Sequence, residues 1–424
     1  MTSMTKKATD TANVCVIGGG AAGMMAAITA AEQGAAVTLF ERNDRMGKKL
    51  RITGKGRCNL TNDCDMNEFL QNVPTNPRFL YTALTRFSTA DTKAFFEGLG
   101  VPLKTERGKR VFPVSDKAGD IVAALDRQCR ALGVHIVHER VQTILMENET
   151  VVGVKTANAT YDADAVIVCT GGRSYAQTGS DGDGYRFAKE AGHTVTPIAP
   201  SLVPLVADGK LCATMQGLSL KNVALRIVDT ATQKTVYSDF GEMMFTHFGL
   251  TGPLVLSASA HLSDPRERSY EAVIDLKPAL DEKTLDARIR SDFEKYRNRD
   301  VINALDDLLP QKMIAPMIAL CEIDPRKKVH SVTKEERERM VRHLKSLAVK
   351  IKDFRPINEA IITRGGVSVR EIDPKTMQSK LVCGLYFAGE IIDVDAYTGG
   401  FNLQIAFSTA YLAGTAAGMA PSAQ

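Results

Sequence analysis

Gly18, Gly20 and Gly23 stand in the spacing G-x-G-x-x-G directly behind the apolar run Asn13–Ile17. Glycines so placed can cradle a pyrophosphate. Gly18 permits a tight turn, Gly20 lets the backbone approach the phosphates, and Gly23 lets the next helix pack against its strand. Ala22 lies inside the turn, and Ala26, Ala27, Ala30 and Ala31 keep the packing close. The helix start offers unpaired N–H groups and a positive dipole end to an anion. Glu41 closes a second apolar run eighteen residues beyond Gly23. A carboxylate there accepts hydrogen bonds from adenosine ribose hydroxyls and repels a 2′-phosphate. Arg42 and Lys49 follow as candidate phosphate contacts. Three glycines alone also suit a purely structural turn; strand, helix, second strand and terminal acid together favour a bound dinucleotide. FAD and NAD fit this fingerprint equally.

A distal set of residues separates them. Ala165–Cys169 leads into Thr170-Gly171-Gly172, and Leu385–Ala388 leads into Gly389-Glu390 and Asp393. Then Thr398-Gly399-Gly400-Phe401-Asn402 precedes a helix expected over Gln404–Gly418. A helix N-terminus aimed at a flavin pyrimidine ring stabilises negative charge in the reduced state. Glu390 or Asp393 could bind ribityl hydroxyls. A nucleotide fold completed by a remote strand, Gly-acid turn and helix points to FAD, held non-covalently; the bland alternative is a strand–loop–helix with glycines for packing.

Between them lies Gly47-Lys48-Lys49-Leu50-x-x-Thr53-Gly54-x-Gly56-Arg57-Cys58-Asn59-Leu60-Thr61-Asn62. This segment resembles the signature of the BaiN-like (YhiN-like) flavoproteins. Gly241–Pro253, Thr363-Arg364-Gly365-Gly366-Val367 and Gly384–Gln404 match the same pattern. The likeness spans nearly the whole chain. It implies an α/β, Rossmann-like FAD domain interrupted by an insert with a β-barrel-like unit and a helical unit. It also implies flavin reduction by NADH or NADPH. Family activities include reduction of activated C=C bonds in steroid-like enones, reduction of a ribosomal RNA uridine to dihydrouridine, and oxidation of small amines.

Single residues admit two readings each. Arg57 could hold the pyrophosphate or a flavin carbonyl, or be a solvated loop charge; its place between glycines and Cys58-Asn59 favours the first. Cys58 could donate a proton, yet packing or orienting the loop suits it better. Five residues separate Cys58 from Cys64, one more than in glutathione-reductase-like disulfide enzymes. His247, in an apolar Gly-rich stretch, could be a general acid or a satisfied structural histidine. Tyr397 and Tyr175 flank the flavin-type loops and could donate a proton or stack on a substrate; structural roles suit each better.

These residues need a scaffold, and 424 residues with 44% hydrophobic and 24% charged composition provide one. The net charge of +4 does not imply a nucleic-acid partner. Eight cysteines without any C-x-x-C pair argue against a metal site and fit a reducing cytoplasm. Val14–Ala31 is apolar, but its glycines make a dinucleotide turn the better account than a membrane span. Residues 1–12 read as a disordered leader, 13–195 plus 355–424 as the FAD domain, and 196–354 as an insert shaping the substrate pocket. Within it, 196–277 is rich in strand-like runs and 278–354 reads as mainly helical. Arg326–Lys352 carries ten Lys/Arg against three Glu. At helical spacing this reads as a solvated face; an RNA-docking surface is the sharper and less favoured reading. The expected function is reduction of an activated C=C bond in a small molecule by an NAD(P)H- and FAD-dependent oxidoreductase. Ribosomal RNA dihydrouridine synthesis and small-amine oxidation are the alternatives.

Overall fold

The computed structural model describes residues 11–419. Most of the leader read over 1–12 therefore lies outside the described residues. Ala12, however, is buried, and its carbonyl accepts the Ala36 N–H at 2.9 Å, so it already belongs to the fold.

The chain divides into two compact units, one running to Ser201 and resuming at Ile361, the other spanning Leu202–Ala360. Both divisions fall six residues beyond the bounds read from composition. The reason is a two-stranded antiparallel ribbon in which Ala199–Ser201 pairs with Ile362–Arg364, Ser201 opposite Ile362. Pairing, which composition does not reveal, keeps both segments in the first unit.

That first unit is built on a five-stranded parallel sheet. Its strands are β1 (Asn13–Ile17), β2 (Ala36–Phe40), β3 (His135–Val137), β4 (Ala165–Val168) and β5 (Leu385–Phe387). The order β5-β4-β1-β2-β3 reverses direction of travel between β1 and β4. The strands are short apolar runs because a parallel sheet is buried on both faces; all four residues of β4 are buried. Helix α1 (Ala21–Glu32) follows β1 and buries Ala22–Ala30 without a break. Burial of Met24, Met25 and Ile28 contributes about 1.5–3 kcal/mol each. Helix α2 (Phe401–Gly418) lies against α1. Small residues set that approach: a Cβ on Gly414 would sit 2.5 Å from the Ala26 carbonyl oxygen.

The second unit contains a closed six-stranded barrel. Its strands, in spatial order, are Leu205–Ala207, Gly249–Thr251, Lys234–Phe245, Ser219–Asp229, Tyr270–Asp275 and Leu347–Phe354. Helices Glu282–Lys295, Gln311–Leu320 and Lys334–Lys345 share one apolar core with it. One expectation fails here. Leu347–Phe354 was expected to be helical and is a barrel strand. Leu347, Val349 and Ile351 face the core while Ala348, Lys350 and Lys352 face out, an alternation of period two masked by the charged run before it.

Candidate active site

The parallel register sets the site. Val137, Phe40, Ile17, Val168 and Phe387 lie side by side across the five strands. Every glycine–acid turn read from the sequence therefore leaves the same carboxyl edge of the sheet. The direction reversal between β1 and β4 is where open α/β sheets bind ligands.

The three fingerprint glycines have different physical causes. Gly18 has φ +107°, and a Cβ on it would meet the Cys169 carbonyl oxygen at 2.6 Å. On Gly23 a Cβ would lie 1.7 Å from the Gly18 oxygen. The chain itself demands both. Gly20 is extended (φ −84°, ψ −167°), and a Cβ there would meet nothing within 4 Å. No atom of the protein requires a glycine at that position; a group approaching from outside would. The start of α1, capped by Gly20, has no side-chain cap. Open space above uncapped N–H groups fits a pyrophosphate.

Glu41 is 7% exposed. It accepts the Gly19 N–H at 2.9 Å, the Asn43 N–H at 2.8 Å and the Asn43 side-chain amide at 2.6 Å. Three bonds on a group with about four acceptor positions leave one for a ligand hydroxyl. Arg42 is occupied otherwise: it pairs with Asp181 and with Asp183. Its expected phosphate contact gives way to this ion pair.

Lys49 donates to Glu390 at 2.7 Å and to the Ser174 hydroxyl at 2.8 Å. Glu390 also accepts the Ser174 hydroxyl at 3.2 Å and the Thr363 N–H at 2.9 Å. The Thr363 hydroxyl in turn accepts the N–H groups of Arg173 and Ser174. Sequence reading missed Ser174 and Thr363 as members of this network; the Thr363-Arg364-Gly365-Gly366 run was the available signal. A Cβ on Gly172 would strike the Thr363 hydroxyl at 2.4 Å, so the Thr170-Gly171-Gly172 turn is glycine-rich to admit the network. The Thr170 hydroxyl is buried without a hydrogen-bond partner. Gly389, with φ +78°, donates its N–H to Thr409 at 3.0 Å and packs on Ala22, whose role is thus close packing.

The Arg57-Cys58-Asn59 loop runs through left-handed backbone at Gly54, Lys55, Gly56 and Cys58. Non-glycine residues in that region mark a loop held in place by its surroundings. Arg57 is not open to an anion. Glu106 and Asp116 hold its guanidinium, which stacks 4.1 Å from the Phe112 ring. Cys58 is fully buried, and burial pushes its thiol up to about 12. That assigns it to packing and loop geometry. The side-chain oxygen of Asn59 is buried without a partner, and a Cβ on Gly400 would sit 2.9 Å from it. Asn59 therefore adjoins the start of α2, which Gly400 caps with no side-chain bond. An unsatisfied acceptor beside uncapped donors is the complement of a ring edge carrying both N–H and C=O, such as a flavin pyrimidine.

Other expected contacts are taken up within the protein. Phe401 is buried edge-on against Phe69. Asn402 brackets the 396–397 backbone, accepting the Ala396 N–H and donating to the carbonyls of Ala396 and Tyr397. Both are structural, because α2 begins at Phe401 rather than Gln404 and its first turn packs the preceding loop. Gly399 receives the Asn62 amide on its carbonyl at 3.0 Å. Asp393 is half-buried, accepts the Asn76 amide on its backbone carbonyl at 2.7 Å, and is pushed up by burial and by Asp395. Tyr397 and Tyr175 are half-buried in their loops. His247 lies in the second unit, exposed in the turn closed by Thr246 and Gly249, its ring edge-on to Phe248. Among the described residues, no helix is long and apolar enough to cross a membrane.

A parallel sheet carrying a G-x-G-x-x-G turn, a buried acid after its second strand and a second uncapped helix is the frame of a Rossmann-type flavoprotein oxidoreductase. The chain belongs to the family described as HI0933-like protein Rossmann domain, whose model matches residues 12–416. The family resemblance read from the Arg57-Cys58-Asn59 segment is borne out. The chain is 31% identical to the 3-dehydro-bile acid delta(4,6)-reductase of Clostridium scindens, over 96% of this chain and 99% of that one. It is 29% identical to the ribosomal RNA dihydrouridine synthase of Escherichia coli, over 93% and 95%. Among solved structures, a 3-ketosteroid-delta4-(5alpha)-dehydrogenase from Rhodococcus jostii shares the fold. Its TM-score is 0.51 at 16% identity, covering 97% of this chain and 98% of that one.

Proposed function

We propose that the protein binds FAD non-covalently, takes electrons from NADH or NADPH, and reduces a C=C bond conjugated to a carbonyl in a small molecule. The observation that carries this reading is the pair of vacancies the chain leaves at one sheet edge: open space above Gly20 and the unpartnered oxygen of Asn59. They suit the two ends of a flavin dinucleotide. The turn at Gly18–Gly20 and the start of α1 would bind its pyrophosphate, and Glu41 its adenosine ribose. Thr170 and Asp393 would line the middle of the proposed path, and the Lys49–Glu390 pair ties the turns around it together. Asn59 and the start of α2 would hold the pyrimidine edge and favour its anionic form. When bound, reduced FAD supplies a hydride to an electron-poor carbon. Tyr397, in the loop before α2, is the side chain proposed to deliver the accompanying proton. The free thiols, seven of eight buried, suit a reducing cytoplasm.

A second substrate class rests on the same chemistry, because the uracil C5=C6 bond is also conjugated to a carbonyl. The relatives named ribosomal RNA dihydrouridine synthase favour it. Against it stands the pairing of four of the ten basic side chains of the run: Lys327 with Glu336, Lys328 with Asp300, Arg337 with Asp286, and Lys345 with Asp275. The test is an anaerobic spectrum of the flavin-loaded protein before and after NADH or NADPH. Rapid bleaching, reversed by an enone, is the expected result. Reversal by ribosomal RNA alone selects the second class. A band that persists removes the electron source and makes small amines the substrates to try.

A further inference from the structure

A cavity of about 460 Å³ lies in the first unit beside the cofactor turn, and no part of the flavin path above uses it. Arg173, one residue beyond Gly172, stands on its wall with Lys189, Tyr185, Val195 and Ile198. The other charged groups around it are already matched. Asp181 is held by Arg42 and Arg140, and Arg186 pairs with Glu190. Among the described residues, the side chains of Arg173 and Lys189 have no ion pair or hydrogen bond, and both are exposed. The wall thus carries two unspent positive charges. Tyr185 is 7% exposed: its ring belongs to the wall, while its phenol oxygen is buried, in reach of the charges of Glu390 and Asp393.

Each feature narrows the ligand. Two free cations call for an anion with more than one charge, such as a phosphate. Val195, Ile198 and the Tyr185 ring offer flat apolar contact. A flat base joined to a phosphate meets both, and the volume suits one nucleotide half. The reaction proposed above requires a nucleotide electron donor, and the sequence has no second G-x-G-x-x-G turn to hold one. We propose that this cavity binds the adenosine phosphate end of the nicotinamide donor, with Arg173 and Lys189 on the phosphate and the apolar wall of Val195, Ile198 and the Tyr185 ring against the base. The assignment rests on the reductase reading for the identity of its ligand, not for the existence of the site.

The test uses flavin-loaded protein, so that the cofactor cleft is filled, and calorimetric titration with 2′,5′-ADP and with 5′-AMP. At least one of the two should bind, and Arg173→Ala and Lys189→Ala should each weaken it by about tenfold or more. Tyr185→Phe keeps the ring and should leave binding within about twofold. Preference for 2′,5′-ADP identifies NADPH as the donor; preference for 5′-AMP identifies NADH. Absence of binding by both nucleotides overturns the site, as does unchanged affinity in the Arg173→Ala/Lys189→Ala double variant. The two proposals fail separately. Nucleotide binding that depends on Arg173, without flavin bleaching, would sink the reductase reading alone. Bleaching by NADPH with an unchanged KM in the double variant would sink this site alone.

Discussion

Gly18 and Gly23 are glycines for the sake of the chain, whereas no neighbour demands one at Gly20, where the proposed pyrophosphate would. The distinction can be measured. Gly20→Ala needs no unusual backbone and meets no neighbour. Its stability should fall by no more than about 1 kcal/mol, the cost of alanine at a helix N-cap, while FAD retention after gel filtration falls about tenfold or more as the methyl group fills the phosphate space. Gly23→Ala drives a methyl into the Gly18 carbonyl and should cost about 3 kcal/mol or more in urea unfolding. Equal behaviour of the two variants would defeat this account. Residues of this kind were legible in sequence because their meaning is local: spacing, a strand before and a helix after. Arg42 and Arg57 were not. Their partners Asp181, Asp183, Glu106 and Asp116 lie far along the chain, and only folding shows that both charges are already spent. Ser174 and Thr363 escaped notice for the same reason.

Elements join through polar struts as well as through the core. His193, at the end of helix Asp183–Glu190, is buried between Glu371 at 3.2 Å and the Ser379 hydroxyl at 2.7 Å, and its ring stands edge-on to Phe387 of β5. Ser379 also accepts the N–H groups of Leu381 and Val382. The strut thus ties the segment before β5 to the helix after β4. Burial holds the His193 pKa below its usual value despite the nearby Glu371 carboxylate. The unfolded chain therefore takes up a proton near pH 6.5 that the folded one resists, so stability falls as pH drops through and below that value. Tm should decline between pH 7.5 and 5.5, and the decline should be shallower in His193→Gln. A parallel decline in both proteins would assign the acid sensitivity elsewhere. At this scale the sequence was readable where period and burial agreed, as in β1, α1 and β4. It misled at Leu347–Phe354, where lysines on the outer face of a strand look like more of the preceding charged helix.

Across the whole molecule, the second unit is one uninterrupted stretch of chain with its own closed barrel and its own core. Such a segment carries what independent folding requires. Residues 202–360 expressed alone should unfold cooperatively in urea, with a slope of about 1–3 kcal/mol/M. A broad, non-cooperative loss of signal would show that its core depends on the remainder of the chain.

The ribbon between Ala199–Ser201 and Ile362–Arg364 has a further consequence. Ser201 and Ile362 are direct partners, so the chain leaves and rejoins the first unit across a single strand spacing of about 5 Å. A tight hairpin turn could bridge that gap as readily as an entire barrel does. The dinucleotide scaffold is therefore closed upon itself and carries its insert as an interchangeable cassette.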